Sequence, residues 1–139
     1  YFRAGDGWLV ANQQNVITEY DRDYYANHIK ISGLILDNLE FSSTFQWASL
    51  KAQSKQVYRV SQNGLQADTR DTSFDDSRFN LQLKLRYKMG AYSDIYLVYG
   101  RGGNELIERD LTNNRFATLE RNWQQPDQEF VTFKVRYLF

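Results

Sequence analysis

The side chains best suited to chemistry in this chain are cationic, and in two stretches they recur at every second position. Six basic residues belong to such alternating stretches: Lys30, Lys84, Arg86, Lys88, Lys134 and Arg136. Because residues two apart on a β-strand point to the same side, they predict one basic surface, interrupted by Glu40 and Asp94. Such a surface suits anionic or hydroxyl-rich solutes, or an acidic plug. Neutralisation by acidic residues of further strands is the alternative interpretation.

Nucleophilic, metal and phosphate sites have little support. His28 is the single histidine and there is no cysteine, which disfavours a histidine-based triad or a multi-histidine metal site. The run of residues 100–103 resembles a phosphate loop superficially, but it ends a strand and lacks the Lys-Ser/Thr pair of that motif. Gly100 and Gly102 would instead allow a loop or plug to approach closely. We predict no catalytic residue, no cofactor and no metal here; an enzyme domain upstream stays open.

Two charged clusters lie between the alternating stretches. The first is acidic: Asp68, Asp71, Asp75 and Asp76. It offers oxygen ligands for Ca²⁺ but lacks the spacing of an EF-hand, so a solvated loop is the favoured interpretation. The second is basic: Arg101, Arg109, Arg115 and Arg121. Guanidinium groups suit lipopolysaccharide phosphates, although basic surface loops are common.

The elements that position these residues are predicted by period-two alternation. Residues 79–89 alternate apolar and polar side chains without exception, and residues 131–139 do so with the single exception of Leu138. The same test places strands near 27–35, 40–51, 79–89, 94–101 and 130–139. An eleven-residue strand is long for a soluble domain and about the length that crosses a bilayer at a tilt. These strands predict an all-β, antiparallel fold, namely the C-terminal part of a transmembrane β-barrel.

The basic side of these strands is predicted to face the lumen of the barrel, and the opposite, apolar face is predicted to contact lipid. Its residues are Ile29, Ile31, Phe45, Trp47, Leu81, Leu83, Leu85, Tyr87, Leu97, Phe133, Val135 and Tyr137. Parity pairs Tyr87 with Ile95 and Ile31 with Phe45 across two hairpins. Aromatic residues at strand ends suit the girdles of a membrane barrel.

The connections alternate between short and long. Residues 36–39 and 90–93 are tight turns, whereas 7–26, 52–78 and 102–129 are long and polar. Outer-membrane barrels alternate in this way, with short periplasmic turns and long extracellular loops. The pattern predicts a bacterial outer-membrane location with the C-terminus on the periplasmic side.

Composition removes several other classes. Lys plus Arg and Asp plus Glu number 17 each, so no net basic field argues for nucleic acid. Mean hydropathy is −0.65, and no apolar run approaches the roughly 18 residues that a transmembrane helix needs. The sequence opens without Met, and five strands cannot close a barrel whose smallest form has about eight. We therefore expect the remaining strands in an upstream part of the same polypeptide or, less readily, in other copies of the chain.

Several local strings then point to one family. Gln46-Trp47-Ala48, Tyr58-Arg59-Val60, residues 81–87 and residues 92–103 together resemble the end of the DUF5916 family. The resemblance implies an outer-membrane barrel whose parent carries an N-terminal domain similar to carbohydrate-binding modules of family 9. It brings no catalytic residues. The terminal alternation also resembles the signal that the barrel-assembly machinery reads, carried by Val131, Phe133, Val135, Tyr137 and Phe139.

The function predicted from this is a transport or anchoring module of the outer membrane, linked to glycan handling. Its expected partners are outer-membrane lipid, lipopolysaccharide, the barrel-assembly machinery and the other strands of the barrel, with no nucleic acid. A scaffold subunit that binds an envelope protein through its long loops is one alternative. The C-terminal part of a TonB-dependent transporter is another, and a soluble β domain with an apolar interior is a third.

Overall fold

The computed structural model describes residues 7–11, 16–108 and 114–138. These residues form seven strands and one helix. In chain order the elements are β1 (Gly7–Ala11), β2 (Val16–Leu36), β3 (Leu39–Ser61), β4 (Gly64–Asp68), β5 (Phe74–Lys88), β6 (Asp94–Glu108), α1 (Arg115–Gln124) and β7 (Gln128–Arg136). The predicted all-β class is therefore confirmed at the level of a mostly antiparallel sheet.

The sheet follows the chain with one detour. The strand order is β1-β2-β3-β5-β6-β7, and β4 pairs with β3 off this path. Strands β6 and β7 are antiparallel, with Asp94 opposite Arg136 and Leu97 opposite Phe133. At the β5–β6 turn the amide of Met89 donates to the Ser93 carbonyl at 2.9 Å. The predicted pairing of Tyr87 with Ile95 has the same offset.

The strands are longer than the alternation predicted. All five predicted strands lie on observed ones, but β2 has 21 residues and β3 has 23. The segments 7–26, 52–78 and 102–129, which the sequence favoured as loops, contain β1, β4, α1 and the ends of four long strands. Backbone pairing does not require apolar side chains, so polar residues continue a ladder where the alternating pattern has ended.

Helix α1 has a polar start signal and a buried side that carries small polar residues. Asn114 accepts the amide of Phe116 through its side-chain oxygen at 3.0 Å, as an N-cap does. Pro126 follows two residues after the helix ends. Thr118 and Asn122, four apart on one side of the helix, are buried, whereas Phe116 is exposed. An amphipathic pattern of large apolar residues was therefore never available to reveal this helix.

The chain divides into two compact units. The first comprises Tyr1–Ala26, Ala48–Ser77 and Glu105–Thr118, and its core is polar for much of its extent. Tyr20 packs edge-on against Phe74 with ring centroids 5.6 Å apart and donates to the Thr72 hydroxyl at 3.1 Å. The Thr118 hydroxyl lies 3.5 Å from a carboxylate oxygen of the fully buried Asp75.

The second unit comprises Asn27–Trp47, Arg78–Asn104 and Leu119–Phe139. It contains both tight turns, the β6–β7 ladder and most of the predicted site residues. Its buried side chains are Trp47, Phe79, Ser93, Asp94 and Asn122. Within the described residues, no helix has the length and hydropathy needed to cross a bilayer.

Candidate functional site

The candidate site lies in the second unit, beside the two tight turns. The amide of Lys88 donates to the carbonyl of Asn38 at 2.8 Å, which links the last residue of β5 to the β2–β3 turn. The β5–β6 turn follows directly after Lys88. The two short connections are therefore neighbours at one end of this unit, as their alternation with long segments predicted.

Five charged side chains form a connected network at this end, and we call it the charged network: Glu40, Arg86, Lys88, Asp94 and Arg136. Arg86 donates to both carboxylate oxygens of Asp94 and to Glu40, each at 3.2 Å. Lys88 forms an ion pair with Glu40, and Arg136 forms one with Asp94. Arg86 and Arg136 both bind Asp94 and offset the free-energy cost of burying its carboxylate, because a desolvated carboxylate needs charged partners.

Asp94 is the centre of the charged network. Its residue surface is only 2% exposed, and it also accepts a hydrogen bond from the hydroxyl of Tyr96 at 3.3 Å. The guanidinium carbon of Arg86 lies 5.5 Å from the centroid of the Tyr96 ring, within cation–π range. Asp94 therefore binds two arginines and a tyrosine on the polar face and fixes their side chains relative to one another.

The structure divides the six predicted basic residues into two groups. Arg86, Lys88 and Arg136 belong to the charged network, where Glu40 and Asp94 of the same chain neutralise them in part. Lys30, Lys84 and Lys134 are exposed. In the described part of the chain, none of their ammonium groups has a hydrogen bond or an ion pair. Among these eight charged groups there are two carboxylates and six cations, so the cations are in excess on the polar face.

The other face of β6 and β7 is apolar and largely uncovered. Val131, Phe133 and Val135 lie opposite Tyr99, Leu97 and Ile95 in the ladder. Phe133 is 65% exposed and Val131 is 67% exposed. Seven of the residues predicted to face lipid are exposed: Ile29, Ile31, Tyr87, Leu97, Phe133, Val135 and Tyr137, the last of which lies beyond the end of β7.

The remaining predicted lipid-facing residues are less accessible. Phe45, Leu81, Leu83 and Leu85 are half-buried. Trp47 differs from all of them, since only 5% of its surface is exposed, and the structure does not leave it on an open face. Of the proposed assembly signal, Val131, Phe133 and Val135 share one face of β7, and Phe139 lies outside the described residues.

Helix α1 covers the far end of this apolar face, which the sequence did not predict. The ring of Trp123 lies 5.4 Å from that of the buried Phe79. Arg101 stacks on Trp123 at 4.8 Å and donates to its carbonyl oxygen. Arg101 is two positions beyond Tyr99 on β6, so the C-terminal half of the helix lies on the side that bears Tyr99 and Leu97.

Two glycines of β6 permit close approaches. Gly100 lies opposite Phe130, whose ring occupies the space that a Cβ would need. A Cβ on Gly103 would lie 2.9 Å from Phe79 and 3.3 Å from the Asn122 carbonyl of α1. The close approach predicted for a loop at Gly100 and Gly102 is thus not what the structure has: Gly100 accommodates a side chain of the neighbouring strand, Gly102 lies against the backbone of Phe79, and helix α1 approaches at Gly103.

The acidic cluster is dispersed in the first unit. Asp68 pairs with Arg70 at 2.9 Å and with Arg59 at 3.2 Å. Desolvation would raise the pKa of Asp68, but the hydrogen bonds and charge of Arg70 and Arg59 outweigh it and lower the pKa below its ordinary value of 3.8. Asp71 accepts the Ser73 amide at 2.9 Å. Among the described residues, no three acidic, histidine or cysteine side chains lie close enough to hold a metal ion.

The arginine cluster is likewise not one surface. Arg101 contacts Trp123 and Glu129, and Arg115 forms an ion pair with Asp23. Arg121 is exposed near the end of α1, and Arg109 lies outside the described residues. His28 is exposed on β2.

Comparisons with known proteins add no relative. No protein-family model matches the chain, and neither a curated protein nor a solved structure matches it.

Proposed function

We propose that this chain is part of the wall of a bacterial outer-membrane β-barrel, with a transport or anchoring role. The observation that carries the proposal is the β6–β7 ladder, whose two faces differ sharply. One face presents Val131, Phe133 and Val135, and the other carries Arg136 paired with the buried Asp94. A wall with lipid on one side and an aqueous lumen on the other requires this division.

An apolar face of this kind is costly in water. Covering one Val, Leu or Phe side chain is worth about 1.5–3 kcal/mol, and contiguous uncovered apolar patches mark contact with a membrane or another protein. Here the apolar positions continue from β7 across β6 at three ladder pairs, each two residues from the next: Val131 with Tyr99, Phe133 with Leu97 and Val135 with Ile95. Lipid covers such a face without needing a complementary protein shape, which favours a bilayer.

The open edge of the sheet supports the same proposal. Among the strands that the structure describes, β7 pairs only with β6 and is the last in the order. In lipid, an unpaired backbone group costs several kcal/mol, so further strands are required to complete the wall. The link to glycan handling rests on the resemblance to the DUF5916 family alone and is part of the proposal.

Cysteine scanning of β7 tests the proposal directly, because the chain has no native cysteine. Single cysteines replace Phe133 and Val135 on one face and Thr132 and Lys134 on the other, and each carries a nitroxide label. With the full-length protein in phospholipid vesicles, we expect Phe133→Cys and Val135→Cys to collide with oxygen dissolved in lipid. Thr132→Cys and Lys134→Cys should instead collide with an aqueous nickel chelate.

The control is a label at Gln62, in the β3–β4 turn, where the nickel chelate should reach freely. Equal access of the chelate to all four β7 positions would overturn the proposal. Purification of the full-length protein as a water-soluble monomer without detergent would overturn it as well.

A further inference from the structure

A groove opens on the polar face of the second unit, next to the charged network. It has a volume of about 530 Å³, which is within the usual range for a small-molecule site. Its walls come from β2, β3, β5 and β6. The lining residues that matter here are Gly33, Leu34, Phe41, Lys84, Arg86 and Tyr96.

Much of the surface of the groove is carbon. Leu34 and Tyr96 contribute an aliphatic side chain and a ring, Phe41 lines the groove from the stretch of β3 between Glu40 and Ser42, and Gly33 adds bare backbone with open space around its Cα. The Tyr96 ring is held in place because its hydroxyl donates to Asp94 and Arg86 lies over it. A fixed aromatic ring together with an aliphatic side chain suits the flat or aliphatic part of a small organic molecule.

The charged side chains that line the groove differ in whether they already have an ion-pair partner. Glu40 and Arg86 both line it, but they bind each other and the rest of the charged network. Lys84 lines it too, and in the described residues it has no acidic partner. The one ionic group free to bind a ligand here is therefore a cation, and Glu40 is already neutralised by Arg86 and Lys88.

We infer that this groove binds a small organic carboxylate with an apolar or aromatic portion. The ammonium group of Lys84 binds the carboxylate, and Leu34 and Tyr96 contact the apolar portion. The Ser32 and Ser42 hydroxyls, which also line the groove, can donate to the carboxylate or to other polar groups of the ligand. The inference concerns a specific binding site on the polar face and goes beyond the proposed role of the chain as a barrel wall.

Phenylacetate is the probe, and phenylacetamide is its uncharged counterpart. Binding is measured by ligand-observed NMR with the full-length protein in phosphatidylcholine nanodiscs. We expect phenylacetate to bind and phenylacetamide to bind at least about tenfold more weakly, since an ionic hydrogen bond is worth about 1.5–3 kcal/mol. Lys84→Met keeps an unbranched side chain and should cause a similar loss.

Lys134→Met is the matched control, because it removes one unpaired cation from the same polar face outside the groove. We expect it to change phenylacetate binding by less than about twofold. Leu34→Ala should weaken phenylacetate more than it weakens acetate. Equal losses in Lys84→Met and Lys134→Met, equal binding of the amide, or no binding to the unaltered protein would each overturn the inference. None of these results depends on which face of β7 meets lipid.

Discussion

The aromatic ring of Phe130 lies over Gly100 on the neighbouring strand, in the space that a side chain at position 100 would fill. Phe130 covers backbone that a glycine leaves bare, an arrangement that compensates for glycine in a strand. The glycine in Tyr99-Gly100-Arg101 is thus explained by its partner across the ladder rather than by a bound ligand.

Gly100→Ala is expected to lower the free energy of unfolding by about 1–3 kcal/mol, because the new methyl group overlaps the Phe130 ring. Urea denaturation in vesicles measures the loss. The double variant Gly100→Ala with Phe130→Leu should recover part of it, as residues in contact are not additive. Gly33→Ala is the control, since no atom lies within 4 Å of a Cβ there. A loss in Gly33→Ala as large as that in Gly100→Ala would contradict this explanation.

Arg86→Met is expected to destabilise the second unit more than any other single change in the charged network. It leaves Lys88 as the only cation of the network beside Glu40 and Arg136 as the only one beside Asp94, and the buried Asp94 loses a two-point partner. The measurement is the denaturation midpoint compared with Lys134→Met, which removes a cation that has no partner among the described residues. Equal midpoints for the two variants would show that the network contributes nothing beyond net charge.

The lowered pKa of Asp68 predicts that the first unit loses stability in acid. Its pKa is lowered in the folded protein, so its contribution to stability is fully present above the ordinary value of 3.8 that it has in the unfolded chain. That contribution is lost as the pH falls through the lower folded pKa. The carboxyl resonance of Asp68, followed by NMR, should titrate below the ordinary value. Arg70→Met should raise the midpoint, and a midpoint that does not respond to this change would contradict the assigned cause.

Asn114→Ala is expected to weaken helix α1 by about 1 kcal/mol, because the amide of Phe116 loses its N-cap acceptor. Hydrogen exchange of the amides in the first turn reports the effect. Asn114→Ser supplies another capping oxygen and should retain most of the protection. Loss of protection in the serine variant to the same extent would mean that the side chain acts in some other way.

The sequence was informative where side chains obey a period. Residues 79–89 alternate strictly, so β5 was predictable, and so was the apolar face of β7 through Phe133 and Val135. The two adjacent tight turns could also be inferred, because short and long connections alternate. These features depend on neighbours along the chain, which is the information that periodicity contains.

Features that depend on distant residues were not predictable in this way. The buried side of α1 consists of Thr118 and Asn122, so no hydrophobic pattern marks it. The two-arginine environment of Asp94 requires Arg86 and Arg136 to meet it from different strands, and no local motif encodes that. The groove is equally nonlocal, since Phe41 and Lys84 become neighbours only through the order of the strands.

The hairpin formed by β3 and β4 gives experimental access to the sidedness of the chain. Within the described part of the sheet β4 pairs with β3 alone, residues 62–67 are exposed, and Gly64 has the positive φ of 104° that a tight reversal requires. An epitope inserted between Gln62 and Asn63 would leave every other ladder pair intact. Antibody staining of whole cells would then report which side of the envelope this hairpin faces, without purification of the protein.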